Sequence, residues 1–124
     1  MATGDNTVFE SDGKAVSVIL QAEVNAGQIT LAEGWLGVAV RGGKSGDSAA
    51  LTIDHSEYQL VVPAGLAVSK GDTIYIDSTD LTGHIPNESA YATSSGANTL
   101  ALLKATSDKD ANNVVTGILL PEGV

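Results

Sequence analysis

Three short stretches bring together side chains of the types that do chemistry. Asp54-His55-Ser56 places an acid, a base and a hydroxyl in a row, the residue types of a nucleophile with its base and orienter. In an extended chain neighbouring side chains point to opposite sides, so these three cannot converge on one reaction centre. Asp77, Asp80 and His84, in DSTDLTGH, offer oxygen and nitrogen ligands on what reads as a loop. Calcium loops need more carboxylates at alternate positions and a closing bidentate glutamate, which are missing, so an Asx-turn at Asp77 or Asp80 is the expected structure. Gly43-Lys44-Ser45 has the order of a phosphate cradle, but no first glycine stands at the required place ahead of it and a strand, not a helix, is expected after it. Lys44 then reads as a turn residue in solvent. No catalytic, cofactor or metal site emerges, and the chain is not expected to be an enzyme.

Composition narrows the partners. The 124 residues include 15 Asp and Glu against 6 Lys and Arg, a formal charge of −9, which repels nucleic acid and anionic membranes. Cysteine is absent, so the fold holds without disulfides or thiolate chemistry. Hydrophobic residues make up 43% but aromatic ones only 4%, so the core is built from Ala, Val, Leu and Ile. A chain of this length supports one domain with one sizeable core. Met1–Asn6 has neither the basic nor the apolar part of a secretion signal, and no apolar run reaches the length of a membrane span; synthesis in a cytoplasm is expected.

The elements that position these residues are strands. From 34 to 77 apolar side chains recur at every second place: Leu36, Val38 and Val40; Leu51 and Ile53; Tyr58, Leu60 and Val62; Ile74 and Ile76. Alternation of this kind puts one set of side chains inward. Gly42-Gly43, Ser45-Gly46-Asp47, Pro63-Ala64-Gly65 and Lys70-Gly71-Asp72 separate the rows with turn chemistry, so the stretch reads as a β-meander. Before it, Ala15 to Gln21 reads as a strand whose Ile19 breaks the alternation and implies burial on both faces. Glu23 to Glu33 reads as a turn at Asn25-Ala26-Gly27 and a strand through Ile29 and Leu31, together a hairpin. A helix is the competing reading, opposed by Gly27 and the β-branched Ile29-Thr30. After it, Ser78 to Asn98 is a long polar connection with one short strand near Ile85. Thr99 to Thr106 and Val114 to Leu120 close the domain as strands, with Gly117 at a bulge or a close backbone contact. The sum is an all-β fold, a small barrel or sandwich of about eight short, mainly antiparallel strands over residues 15–124.

Residues 1–14 read as a flexible N-terminal arm, polar apart from Val8 and Phe9. Either it is a frayed terminus, or Thr7, Val8 and Phe9 form a short strand when laid against a partner's sheet edge. Trp35, the single tryptophan, is either a core or rim residue or an interface anchor.

The order and spacing of Gly34-Trp35-Leu36-Gly37-Val38-Ala39, the Gly46-Asp47 turn, Tyr58-Gln59-Leu60-Val61-Val62-Pro63, Lys70-Gly71-Asp72-Thr73-Ile74-Tyr75-Ile76-Asp77 and Gly117-Ile118-Leu119-Leu120 resemble the capsid decoration, or cement, proteins of tailed bacteriophages. The match runs over roughly residues 30 to 122; the polar N-terminal arm and the long Ser78 to Asn98 loop depart from it. The resemblance implies a homotrimer on the outer capsid surface of the virion, clamping major capsid protein subunits, with no cofactor. Thr7, Val8 and Phe9 would be capsid contacts and Trp35 an interface residue. The alternative is a carbohydrate- or surface-binding β domain displayed on a virion, using the Ser78 to Asn98 loop and Tyr91.

Overall fold

The structure is a computed structural model and describes residues 14–120. Eight strands form where the apolar alternation places them: β1 (Ala15–Ile19), β2 (Ile29–Ala32), β3 (Trp35–Ala39), β4 (Ser48–Thr52), β5 (Glu57–Val61), β6 (Thr73–Asp77), β10 (Thr99–Ala105) and β11 (Val114–Leu119). The connection read as a loop is largely built: it contains β7 (Leu81–Thr82), β8 (Ile85–Pro86), a 3₁₀ turn (Glu88–Ala90) and β9 (Tyr91–Ala92). All the pairings are antiparallel.

Two sheets result, in the orders β1-β4-β3-β2 and β5-β11-β10-β6-β9, with β7 and β8 as a separate hairpin. They are arranged as a sandwich and are not closed into a barrel. The meander expected over residues 34 to 77 is therefore interrupted. β3 and β4 do pair, but β5 and β6 belong to the other sheet, where they pair with β11 and β10. A flat four-strand meander would bury its rows on one face only, whereas crossing at Asp54–Ser56 lets the later rows face the earlier sheet.

Two apolar clusters follow from that crossing. The first lies on the inner face of the five-stranded sheet and holds Leu60, Val62, Ile74, Ile76, Leu102, Leu103, Val115 and Leu119, joined by Leu36 of β3. The second lies on the opposite face of the four-stranded sheet and holds Val18, Leu20, Val24, Ala39, Leu51 and Ile53. The four-stranded sheet is thus packed on both sides. Leu36, with Ile29 and Leu31 of β2, faces the other sheet, while Ala32 and Ala39 face its own cluster. At about 1.5–3 kcal/mol per buried Leu, Ile or Val side chain, these clusters are the main stabilising term.

Packing on two faces explains where simple alternation misplaces a residue. Val40 is 51% exposed and Ile19 is 49% exposed, against the inward row and the double burial expected of them. Alternation along β1 in fact continues through Val16, Val18 and Leu20, the last two buried, which turns Ile19 outward. The hairpin expected from Glu23 to Glu33 is also differently made. Its turn and its second strand are present, but β1 pairs with β4 and β2 with β3, and Val24 makes only a single bridge to Gly43. Glu33 and Gly34, both at positive φ (50° and 82°), form the two-residue β2–β3 turn that such hairpins favour.

One turn is used three times. In Asn25–Gln28, Lys44–Asp47 and Ser69–Asp72 the fourth residue's N–H donates to the first residue's carbonyl, at 3.2, 3.0 and 3.0 Å. The third residue is a glycine with φ of 85°, 93° and 94°, the pattern of a type II turn. Each glycine N–H then donates to a carbonyl on the partner strand or its extension, and that same partner residue donates back to the residue after the glycine. The partners are Ala39, Leu20 and Ala105. Two residues thereby oppose one, which is a G1 bulge.

Gly37 is needed for a different reason. A Cβ there would lie 2.5 Å from the Thr52 carbonyl oxygen and 3.1 Å from the Leu51 Cβ, contacts that the backbone of β4 cannot relieve. Gly117 is similarly tight, 2.9 Å from the Lys104 oxygen, as the expected close contact. Gly37→Ala is expected to destabilise by about 1–3 kcal/mol through overpacking. Gly65→Ala, in open space, should be neutral or stabilising by up to about 1 kcal/mol. Urea midpoints of the two variants check the contrast.

Candidate functional site

The polar residues that the sequence offers for chemistry are held in turns and kept apart. Ser56 Oγ donates to Asp54 Oδ2 at 2.8 Å, and the Tyr58 hydroxyl reaches Asp54 Oδ1 at 3.4 Å. The Ser56 hydroxyl holds the Asp54 carboxyl below its usual range, while burial, and then the Asp54 charge, raise the Tyr58 phenol. His55 is exposed. The serine proton is therefore shared with a carboxylate and not with an imidazole, so no activated nucleophile results.

Asp77 Oδ1 accepts the Thr79 N–H at 2.9 Å and the Thr79 hydroxyl at 2.7 Å, the expected Asx-turn, and these bonds lower its pKa. Asp80 accepts the Ser89 hydroxyl instead. Among the described residues no three His, Asp or Glu side chains come together as metal ligands. At Lys44 the backbone N–H is bonded to Asp47 Oδ2 at 2.8 Å, so Gly42–Asp47 is a strand-joining turn.

His84 is the exception to solvent-facing polarity. Its β7–β8 hairpin lies along the edge of β2, where the Leu31 N–H donates to the His84 carbonyl at 2.9 Å. The ring is buried; Nδ1 accepts the Gln21 N–H at 3.4 Å, and Nε2 has no hydrogen-bond partner among the described residues. A second side chain spans the same seam, for the Ile19 N–H donates to Glu33 Oε1 at 2.6 Å. The four-stranded sheet is rolled far enough that the end of β1 meets β2 and β8. The seam is joined by an imidazole and a carboxylate instead of a ladder.

Trp35 opens β3, half-buried and packed against the second cluster. Tyr91 packs against the first, its phenol raised by burial, so its ring is not presented from a loop tip. Thr7, Val8 and Phe9 lie outside the described residues.

The feature that the sequence did not disclose is a groove of about 440 Å³ at the mouth of the sandwich. It runs between β5 and the β2–β3 face, with Tyr58, Gln59, Leu60 and Val61 on one side and Ile29 and Val38 on the other. Ile85 and Pro86 of β8, Tyr91 of β9 and Leu103 of β10 also line it, so it reaches inward from β5 between the sheets. β5 is the outermost strand of its sheet. The Val62 N–H and the Ser56 carbonyl are bonded toward β11, which turns the backbone groups of Glu57, Gln59 and Val61 the other way. Val61 is 69% exposed at this edge. Nothing in Glu57-Tyr58-Gln59-Leu60-Val61 marks an edge strand, because edge position depends on pairings with residues more than 50 places away.

A family model described as phage cement protein matches residues 10–120. No curated protein and no solved structure matches the chain.

Burial lowers the His84 pKa below its ordinary value of 6.5, so protonation favours the unfolded chain. This contribution to stability is complete above about pH 6.5 and is lost as the pH falls from there toward the folded-state pKa, by at most about 1.4 kcal/mol per pH unit. Urea midpoints across that window should fall in the parent, and His84→Gln should flatten the decline.

Proposed function

The chain belongs to the phage cement protein family, structural proteins that stabilise the capsid, and on that premise we propose that it binds the outer surface of the head as a homotrimer and braces the lattice of major capsid protein. The observation that carries this reading is the family match, which takes in both sheets and every strand of the described residues. The physical character of the molecule supports it. A formal charge of −9 suits the outside of a shell filled with polyanionic DNA better than its interior. Short strands, pinned turns and clusters on both faces of one sheet make a rigid body, which loses little entropy on docking. Linking three such bodies raises avidity without new contacts, by roughly 10²–10⁴.

In this reading Thr7, Val8 and Phe9 are capsid contacts and Trp35, half-buried at the start of β3, is an interface residue. The capsid partner is recognised by strand pairing and apolar contact, with no cofactor and no catalytic step. Assembly is read as taking place in the host cytoplasm.

Purified full-length protein is expected to sediment as a trimer and to bind expanded shells that lack it, saturating at a multiple of three copies per site and raising the shell's disruption temperature. Absence of binding would overturn the reading; binding as monomers would overturn the trimer alone. Sedimentation, copy counting by gel densitometry and scanning calorimetry of the shells provide the measurements.

A further inference from the structure

Among the described residues Ile19, Val40 and Val61 are the large apolar side chains that stand exposed, and the first two share one face of the four-stranded sheet. Strand register shows which face. Leu36 and Val38 of β3 lie opposite Leu31 and Ile29 of β2, and Leu36, Leu31 and Ile29 pack into the first cluster. Val38 pairs with Thr52, so Thr52, Ala50 and Ser48 of β4 continue that side, because alternate residues of a strand share a face and opposed residues do too. Ala50 and Ser48 pair in turn with Ser17 and Ile19 of β1, and the Val40 N–H donates to the Ala50 carbonyl at 3.0 Å. The face that the second sheet covers over β2 and β3 therefore runs on over β4 and β1, where Ser17, Ile19, Val40 and Ser48 are exposed.

We infer that this open face is where copies of the chain meet, a second copy packing on Ile19, Val40 and the residues of β4 between them. The inference deepens the homotrimer reading, names the surface that the copies use, and rests on that reading for their number.

Charge selects the occupant. Each chain carries a formal −9, so two copies repel wherever their carboxylates approach. Ser17, Ile19, Val40, Ser48, Ala50 and Thr52 bring no charge to the contact. At its margin the Glu33 and Asp47 carboxylates accept the Ile19 and Lys44 N–H groups, at 2.6 and 2.8 Å. Val61, by contrast, alternates along β5 with Gln59 and Glu57 on its own side, so a copy docking there would meet a carboxylate. A basic partner is drawn to acidic surface, whereas an uncharged face suits a partner of the same sign of charge, and a second copy is such a partner.

Continuity and shape agree with it. On this same face the chain already packs one β-sheet, its own, so a second copy laid over β4 and β1 extends an existing apolar contact. Ile19 and Val40 stand two strands apart, about 10 Å, with the smaller Ser48 and Ala50 between them as a shallow trough. The open area, three strands wide and five residues long, measures roughly 14 by 17 Å. That is well below the about 800 Å² per partner of a standard interface, so the contact is reversible and depends on concentration.

Sedimentation equilibrium of the full-length protein over a concentration series tests the assignment. Ile19→Glu and Val40→Glu are each expected to weaken self-association at least tenfold. Val61→Glu adds the same charge away from the face and is expected to leave the series unchanged, with urea midpoints checking that all three variants fold. Undiminished association of both face variants, or equal weakening by Val61→Glu, would overturn the inference and leave the homotrimer reading standing. A parent that stays monomeric at every concentration would overturn both. Face variants that lose shell binding while self-association is intact would assign the face to the capsid protein and overturn the inference as well.

The absence of cysteine supplies a second measurement that needs no disruptive substitution. Val40 and Val61 are 51% and 69% exposed in the single chain, so cysteines at the two places should react with a maleimide at similar rates in dilute solution. Where the parent is associated, Val40→Cys is expected to react at least tenfold more slowly than Val61→Cys. Equal rates there would overturn the inference.

Discussion

The structure depends on one backbone device, the glycine turn that opens into a G1 bulge. It begins β2 at Gly27-Gln28, β4 at Gly46-Asp47 and β6 at Gly71-Asp72, and each copy is bonded in both directions to a single partner residue. The three copies pin β2 to β3, β4 to β1 and β6 to β10. Each fixes register where a slip of one residue would turn a buried row to solvent. At two of the three the following aspartate also accepts the first turn residue's N–H, Asp47 from Lys44 and Asp72 from Ser69. At the third, Gln28 does the same for Asn25. Part of the chain's acidic excess therefore serves its turns.

Given those registers, the two clusters are a consequence of where the chain changes sheet. The crossing at Asp54–Ser56 sends Tyr58, Leu60 and Val62 to face Leu36 across the sandwich, and leaves Leu51 and Ile53 on the other side of β4 with Val18 and Leu20. The first sheet then has to roll to cover its own cluster. Rolling brings β1 toward β2 and β8 without aligning them for a ladder. The groups left at that seam are met by side chains, the Glu33 carboxylate and the His84 imidazole. Of these the imidazole is the costlier, since its second nitrogen is buried without a partner among the described residues and burial disfavours its charged form.

Among the described residues Asp54, Ser56, Asp77, Asp80 and Ser89 satisfy one another or their own turns. The outer edge of β5, with the groove of about 440 Å³ beside it, is by contrast left without a strand partner among the described residues.

The sequence by itself determined the class of fold and the positions of eight strands, because period-two alternation and glycine turns are local properties that survive any arrangement of the strands. It also made the Asx-turn at Asp77 and the close contact at Gly117 legible, one from neighbouring residues and the other from a glycine inside a strand. The relation to phage cement proteins was readable from the order of the short motifs. Partner choice was not readable, and it decided the rest. Whether Ile19 and Val40 face in or out, whether β5 continues the meander or starts the second sheet, and whether the polar stretch after Asp77 folds into β7, β8 and β9 all depend on contacts between distant residues. Only the tertiary structure supplies these, since a strand's two edges carry the same backbone N–H and C=O groups until its neighbours occupy one of them, and a sheet packed on both sides buries both of its faces.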